Sequence, residues 1–379
     1  MLKRFLGLAL LIVIALSVTT AAYLYAKGYR IDFKNRSIDG TGIIQITTTP
    51  KGAAVLIDGE KSPKQATDVN LTNLHPGKYK ITLKKSGFID WQKEVEVRAG
   101  LVTPLEALLF PAAPNLKAVT FTGVLGPKIS PDNQKLVYAV NSADKEGLWV
   151  LDLSDRPLFF SKEPKLIAQD SSTFKFSSAE YQWIPDSKSV LVTLKVAEVE
   201  KNFLLDASSE NKQFTDISAK VSELKKGWLQ DSTLKTSDRF NHIGSQAKKL
   251  SEGAKTVSFS PDEERVLIVK KDGTALVYDS KPYVGFDDKA KIYNLPKADS
   301  YLWYPEETQS GHDSHHLILI SKASISLIES DGSNQATIYT GNFDLEAVFA
   351  WPNGSKLIIS TSLNSSIAKQ PNLYSIDLH

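Results

Sequence analysis

Hydrophobic and polar positions change their rhythm along the chain. From Phe5 to Ala26 there are 22 consecutive uncharged residues, with a core reading FLGLALLIVIALSV. As a helix rising ~1.5 Å per residue this segment spans ~33 Å, enough for a hydrocarbon layer of about 30 Å. Between residues 42 and 110 the pattern alternates with a period of two and shows no helical period. Ile44, Ile46 and Thr48 fall on one face of an expected strand, and Ile43, Gln45 and Thr47 on the other. Tyr79, Ile81 and Leu83 alternate with Lys78, Lys80, Thr82 and Lys84, as expected for a half-buried strand with one solvated cationic face. Trp91, Lys93, Val95 and Val97 again share a side. Asp58-Gly59 and Pro76-Gly77 punctuate these runs as turns.

Beyond Pro111 a phrase recurs: an apolar strand, a Pro-Asp-type turn, another apolar strand, then a third. The turns read Ser130-Pro131-Asp132, Ile184-Pro185-Asp186, Ser260-Pro261-Asp262, Tyr304-Pro305-Glu306 and Trp351-Pro352-Asn353. Trp228-Leu229-Gln230-Asp231 lines up as a degenerate further copy, with Gln in place of Pro. The anchors at 131, 185, 230, 261, 305 and 352 are spaced 54, 45, 31, 44 and 47 residues apart. Such a period predicts propeller blades, whose sheets must stack to cover their faces. In the degenerate unit the second and third strands are expected at Thr233–Ser237 and Arg239–Ile243. The last unit ends after its third strand, so Leu116–Phe121 is expected to supply its outer strand and close the ring.

Two of these patterns resemble known families. Pro50-Lys51-Gly52-Ala53, followed by Val55-Leu56-Ile57-Asp58-Gly59, Pro76-Gly77-Lys78-Tyr79 and Gly87-Phe88-Ile89-Asp90-Trp91, resembles the PEGA domain, with Lys51 at the family's Glu. That resemblance implies a small extracytoplasmic β-sandwich, and no activity. Ser130-Pro131-Asp132 and Ser260-Pro261-Asp262 resemble the WD40-like repeats of TolB-type propellers. Asn133 and Glu263 stand where that repeat has Gly; Asn353-Gly354 keeps it. The repeat implies a fold and leaves the function open.

Charge and composition sharpen the location. The chain has 45 Lys+Arg and 43 Asp+Glu, and no acid before Asp32. Lys3 and Arg4 account for the excess, so residues 27–379 carry 43 of each sign. Charges ahead of an apolar segment orient it with the N-terminus in the cytoplasm, and Tyr23 and Tyr25 suit the membrane interface. Cleavage after Thr20-Ala21-Ala22 is the rival reading. A neutral body gives no electrostatic footprint for nucleic acid. The absence of Cys excludes disulfides, thiolate metal sites and cysteine nucleophiles.

Chemistry-bearing motifs are sparse. His312, Asp313, His315 and His316 could hold a metal, but adjacent strand residues point to opposite faces, so His315 and His316 do not share one easily. They read as a polar loop. Trp183, Trp228, Trp303 and Trp351 read as packing between blades. Lys225-Lys226, Lys248-Lys249, Lys270-Lys271 and Asp287-Asp288 read as solvated surface. Only Arg156, Arg239 and Arg265 represent arginine in the repeats, too few for a sialidase-like carboxylate clamp, and no Gly-x-Ser-x-Gly motif occurs.

The expected organisation is a transmembrane anchor (1–26), a juxtamembrane linker (27–41), a PEGA-like sandwich (42–110), a linker (111–115) and a six-bladed propeller (116–379, with 116–121 closing the last blade). Apart from the anchor the fold class is all-β. No catalytic, cofactor or metal residue is nominated. The expected function is a non-catalytic, membrane-anchored extracytoplasmic binding or scaffold protein, meeting a protein or envelope polymer through its propeller. Two alternatives stay open: a propeller hydrolase or lyase acting on envelope glycans, and a purely structural envelope component.

Overall fold

A computed structural model describes the chain apart from residues 1, 27–28, 33–36, 63–65, 155–162, 281–288, 309–310, 313–314, 364–369 and 379. It forms two compact units, the first from Met1 to Ala112, the second taking up the chain at Ala113. The first begins with helix α1 (Leu2–Ala26). Its segment Leu6–Tyr25 has mean hydropathy 2.2 and no part of it is buried in the protein, so by length and composition it is able to cross a membrane.

The sandwich that follows has two sheets. One orders Val69–Leu74, Gly42–Thr49 and Val102–Leu108, with the last two parallel. The other orders Glu60–Lys61, Ala54–Ile57, Gly77–Lys84 and Trp91–Val97. The alternating positions meet between them: Ile44, Ile46, Ile81, Leu83, Trp91, Val95 and Val97 are buried in one core. The cationic face expected on Gly77–Lys84 is matched by acids opposite it. Lys78 pairs with Glu94 at 2.7 Å and Lys84 with Asp90 at 2.6 Å. The Lys51 turn is tied to the segment Thr67-Asp68. Gly52 donates to the Thr67 carbonyl at 2.8 Å, and the Lys51 ammonium meets Asp68 at 2.9 Å.

In the second unit the recurring phrase forms five antiparallel sheets among the described residues. Sheet 1 orders Leu125–Ile129, Lys135–Val140, Gly147–Asp152 and Lys165–Gln169; sheet 2 orders Glu180–Trp183, Ser189–Val196 and Val199–Asp206. Sheet 3 orders Thr256–Phe259, Arg265–Val269, Ala275–Asp279 and Lys291–Leu295; sheet 4 orders Ser300–Trp303, His316–Ser321, Ser324–Glu329 and Ala336–Thr340. Sheet 5 orders Val348–Ala350, Lys356–Thr361, Asn372–Asp377 and, as its outer strand, Leu116–Ala118. That outer strand is antiparallel to the last, with Leu116 opposite Ile376 and Ala118 opposite Tyr374. Val119 N–H adds a bond to the Leu373 carbonyl at 2.8 Å.

Six all-β blades are not what forms. The degenerate unit is helical: α2 (Val221–Ile243) contains Trp228 and both expected strands, and α3 (Ser245–Ser251) follows at once. The physical reason lies in the residues. Gln230 provides no stop where the other units have Pro. Phe240, Ile243, Ala247 and Leu250 recur at helical spacing and pack on Val266, Ile268 and Tyr278 of sheet 3. Gly244, at φ 115°, makes the break between the helices. The two helices therefore cover the face of sheet 3 that a sixth blade would have covered.

Candidate binding cleft beside the first strands

Neighbouring sheets are joined through their first strands. The Trp183 indole N–H of sheet 2 donates to the Lys128 carbonyl of sheet 1 at 2.9 Å, and Trp303 of sheet 4 donates to Ser258 of sheet 3 at 3.2 Å. Tyr304 donates to the Gly354 carbonyl, joining sheets 4 and 5. Phe349 and Trp351 of sheet 5 share a core with Leu136 and Tyr138 of sheet 1. So Trp183, Trp303 and Trp351 do pack between sheets, while Trp228 lies half-buried on α2.

Sheet 2 is the exception in this series. One face packs against sheet 1 through Val190, Val192, Phe203 and Leu205. The other carries Glu180, Gln182, Lys195 and Leu204, all exposed, with Leu191 and Asn202 buried among them. A cavity of about 550 Å³ opens on this side of the first strand. Its walls come from sheet 1 (Leu125, Lys128, Ala139), sheet 2 (Glu180, Tyr181, Gln182, Leu191, Thr193) and the turn Phe176–Ser178. Lys225 of α2 completes it.

The cleft's framework is hydrogen-bonded. Tyr181 hydroxyl donates to the Leu125 carbonyl at 2.7 Å and accepts from Ala139 N–H at 3.1 Å. Burial pushes its pKa up to about 12, so it remains a neutral strut. Lys128 donates to the Tyr181 carbonyl at 2.8 Å. Ser177 is fixed by Asp170 through both its N–H, at 2.9 Å, and its hydroxyl, at 2.7 Å. By contrast Glu180, Gln182 and Lys225 have no hydrogen-bond or ion-pair partner among the described residues. Glu180 and Gln182 are two apart on one strand, so both project from the same face.

The positions singled out in the sequence are scattered. His316 is buried and bonded through Nδ1 to Glu306, beside Tyr304. Asp313, Arg156 and Asp287-Asp288 lie outside the described residues, as does the side chain of His312. Among the described residues no group of three His, Asp or Glu is placed to hold a metal. Arg265 is a structural residue: only 1% exposed, it bonds Asp279 at 3.2 Å and Asp262 at 2.7 Å, locking a Pro-Asp turn to its third strand. Of the lysine doublets, Lys225 lines this cavity. Glu180 and Gln182 were missed, since single polar residues on a strand read as ordinary solvent-facing positions.

Comparison with known proteins agrees with the first unit's architecture. The PEGA domain model matches residues 41–111. No curated protein matches the chain in sequence. Similar solved structures include TolB from Acinetobacter baumannii, 14% identical, covering 95% of this chain and 68% of that one, with a TM-score of 0.23. An oligogalacturonate lyase from Vibrio parahaemolyticus is 10% identical over 89% of this chain and 98% of that one, TM-score 0.27. A gluconolactonase from Xanthomonas campestris is 10% identical over 79% and 82%, TM-score 0.23. Residues 41–111 of this chain are a PEGA domain.

Proposed function

We propose that the protein is a membrane-anchored, extracytoplasmic, non-catalytic binding protein, and that the sheet unit holds its partner. The observation that carries this reading is the cleft beside sheet 2, where three polar side chains stand without partners on an otherwise hydrogen-bonded frame. Such groups are typical of recognition sites, which set a few polar residues among apolar walls. Helix α1 would anchor the chain with Met1 in the cytoplasm, in keeping with Lys3 and Arg4, and the PEGA domain would stand outside.

Two experiments test the proposal. Sequencing the N-terminus of the mature protein should find residues ahead of Tyr23; a chain beginning at Tyr23 removes the anchor. A photo-crosslinking residue at Gln182 should give one dominant adduct in cells, whereas one at Lys188, an exposed turn position, should not. The absence of any adduct at Gln182 removes the binding role.

A further inference from the structure

The uncommitted groups of the cleft differ in what they accept. Glu180 as a carboxylate only accepts hydrogen bonds, Lys225 as an ammonium only donates, and the Gln182 carboxamide does both. A hydroxyl is the small group able to satisfy all of them, because it donates and accepts at one atom. The charges of Glu180 and Lys225 cancel, and the Lys128 ammonium is committed to the Tyr181 carbonyl at 2.8 Å. The cleft therefore keeps one net positive charge, that of Lys128, too small a field to select a polyanion or a polycation.

Shape adds to this. Leu125, half-buried, gives the cleft an apolar wall beside the polar groups. Leu191, opposite Gln182 across the sheet, and Ala139 back that wall from beneath, only 1% and 2% exposed. A pyranose presents such a pair of surfaces, with hydroxyls at its edge and C–H groups on its face. A peptide joining a sheet would bond along a strand edge through its main chain. Here the free groups project from the face of Glu180–Trp183 instead. The volume of about 550 Å³ lies within the range of small-ligand sites.

From this we infer that the cleft binds a short stretch of uncharged glycan, held through its hydroxyls by Glu180, Gln182 and Lys225. The inference rests on the binding role proposed above and names the ligand class for the same site. It also gives a use to the helical replacement of a blade: α2 brings Lys225 to the cleft.

The test uses the full chain in lipid nanodiscs, titrated calorimetrically with neutral oligosaccharides of glucose, mannose and N-acetylglucosamine. Oligogalacturonate, a chitosan oligomer and an extended peptide serve as comparisons. Saturable binding of a neutral oligosaccharide is expected, little changed by salt. Gln182→Ala and Glu180→Ala should each weaken it about tenfold, with unchanged melting temperature, since both side chains are exposed. Lack of binding to every neutral oligosaccharide overturns the inference. So does tighter binding of the anionic, cationic or peptide ligand, or unchanged affinity in the Glu180→Ala/Gln182→Ala double variant. If the crosslink at Gln182 persists but its adduct is a protein alone, the glycan assignment fails while the binding role stands.

Discussion

Asp132, Asp186, Asp262 and Asn353 do the same work in four different turns. Each side-chain oxygen accepts a backbone N–H two residues on, at 3.0, 2.7, 3.0 and 2.9 Å respectively. The residue between is left-handed every time: Asn133, Ser187, Glu263 and Gly354 have φ of 58°, 57°, 57° and 72°. This explains the Gly usual in such repeats. Gly354→Ala should cost about 2–4 kcal/mol in chemical denaturation, since its Cβ would collide with the Pro305 carbonyl and φ stays positive. The opposite change, Asn133→Gly, should be near neutral, because Asn already tolerates this region. These turns were legible in the sequence because their bonds join near neighbours. The indole bond from Trp183 to Lys128 was not, because it depends on which sheets become neighbours. A second residue-scale expectation concerns Asp68. Hydrogen bonding to Lys51 holds its pKa below the ordinary value. Its contribution to stability is thus fully present above the unfolded-state pKa of about 3.9 and lost as pH falls through the lower, folded value. Lys51→Glu, which restores the family residue, should raise the Asp68 titration midpoint in a carboxyl-resolved NMR titration.

Among the elements, α2 is the one the sequence concealed. Trp228-Leu229-Gln230-Asp231 imitates the opening of a blade, and Arg239–Ile243 is short enough to pass for a strand. Two signals pointed the other way. The interval of 31 residues before the next anchor is too short beside 44 to 54 elsewhere, and Phe240, Ile243, Ala247 and Leu250 keep a helical spacing. Only this C-terminal stretch is anchored. Leu229 and Leu234 are 70% and 58% exposed, so they add little burial. Ile243→Ala should therefore destabilise the unit by about 2–5 kcal/mol, while Leu234→Ala should leave the melting curve within error. Equal effects of the two substitutions would show that α2 is held along its whole length. The cleft was hidden for the same reason: Lys225 reaches the cavity that Glu180 lines only because α2 is a helix.

In the molecule as a whole, the pairing of Leu116–Ala118 with Asn372–Asp377 joins the beginning of the sheet unit to its end. This long-range contact was legible because the last repeat was one strand short. Lys117 reinforces it with an ion pair to Asp377 at 2.5 Å, and Thr120 hydroxyl accepts the Leu373 N–H at 2.9 Å. Deleting residues 116–118 should lower the melting temperature of the sheet unit and bare the edge of Asn372–Asp377. A deletion variant that melts with the parent would show that the strand is dispensable. The same pairing bears on how the protein is made. Synthesis delivers Leu116 about 250 residues before Asn372, so sheet 5 waits for the other four sheets of its unit before its register is set. A ribosome that stops short of residue 372 releases a product lacking that central strand. Such a fragment has exposed sheet edges on both sides of the gap, a form that proteases and chaperones can distinguish from the finished protein.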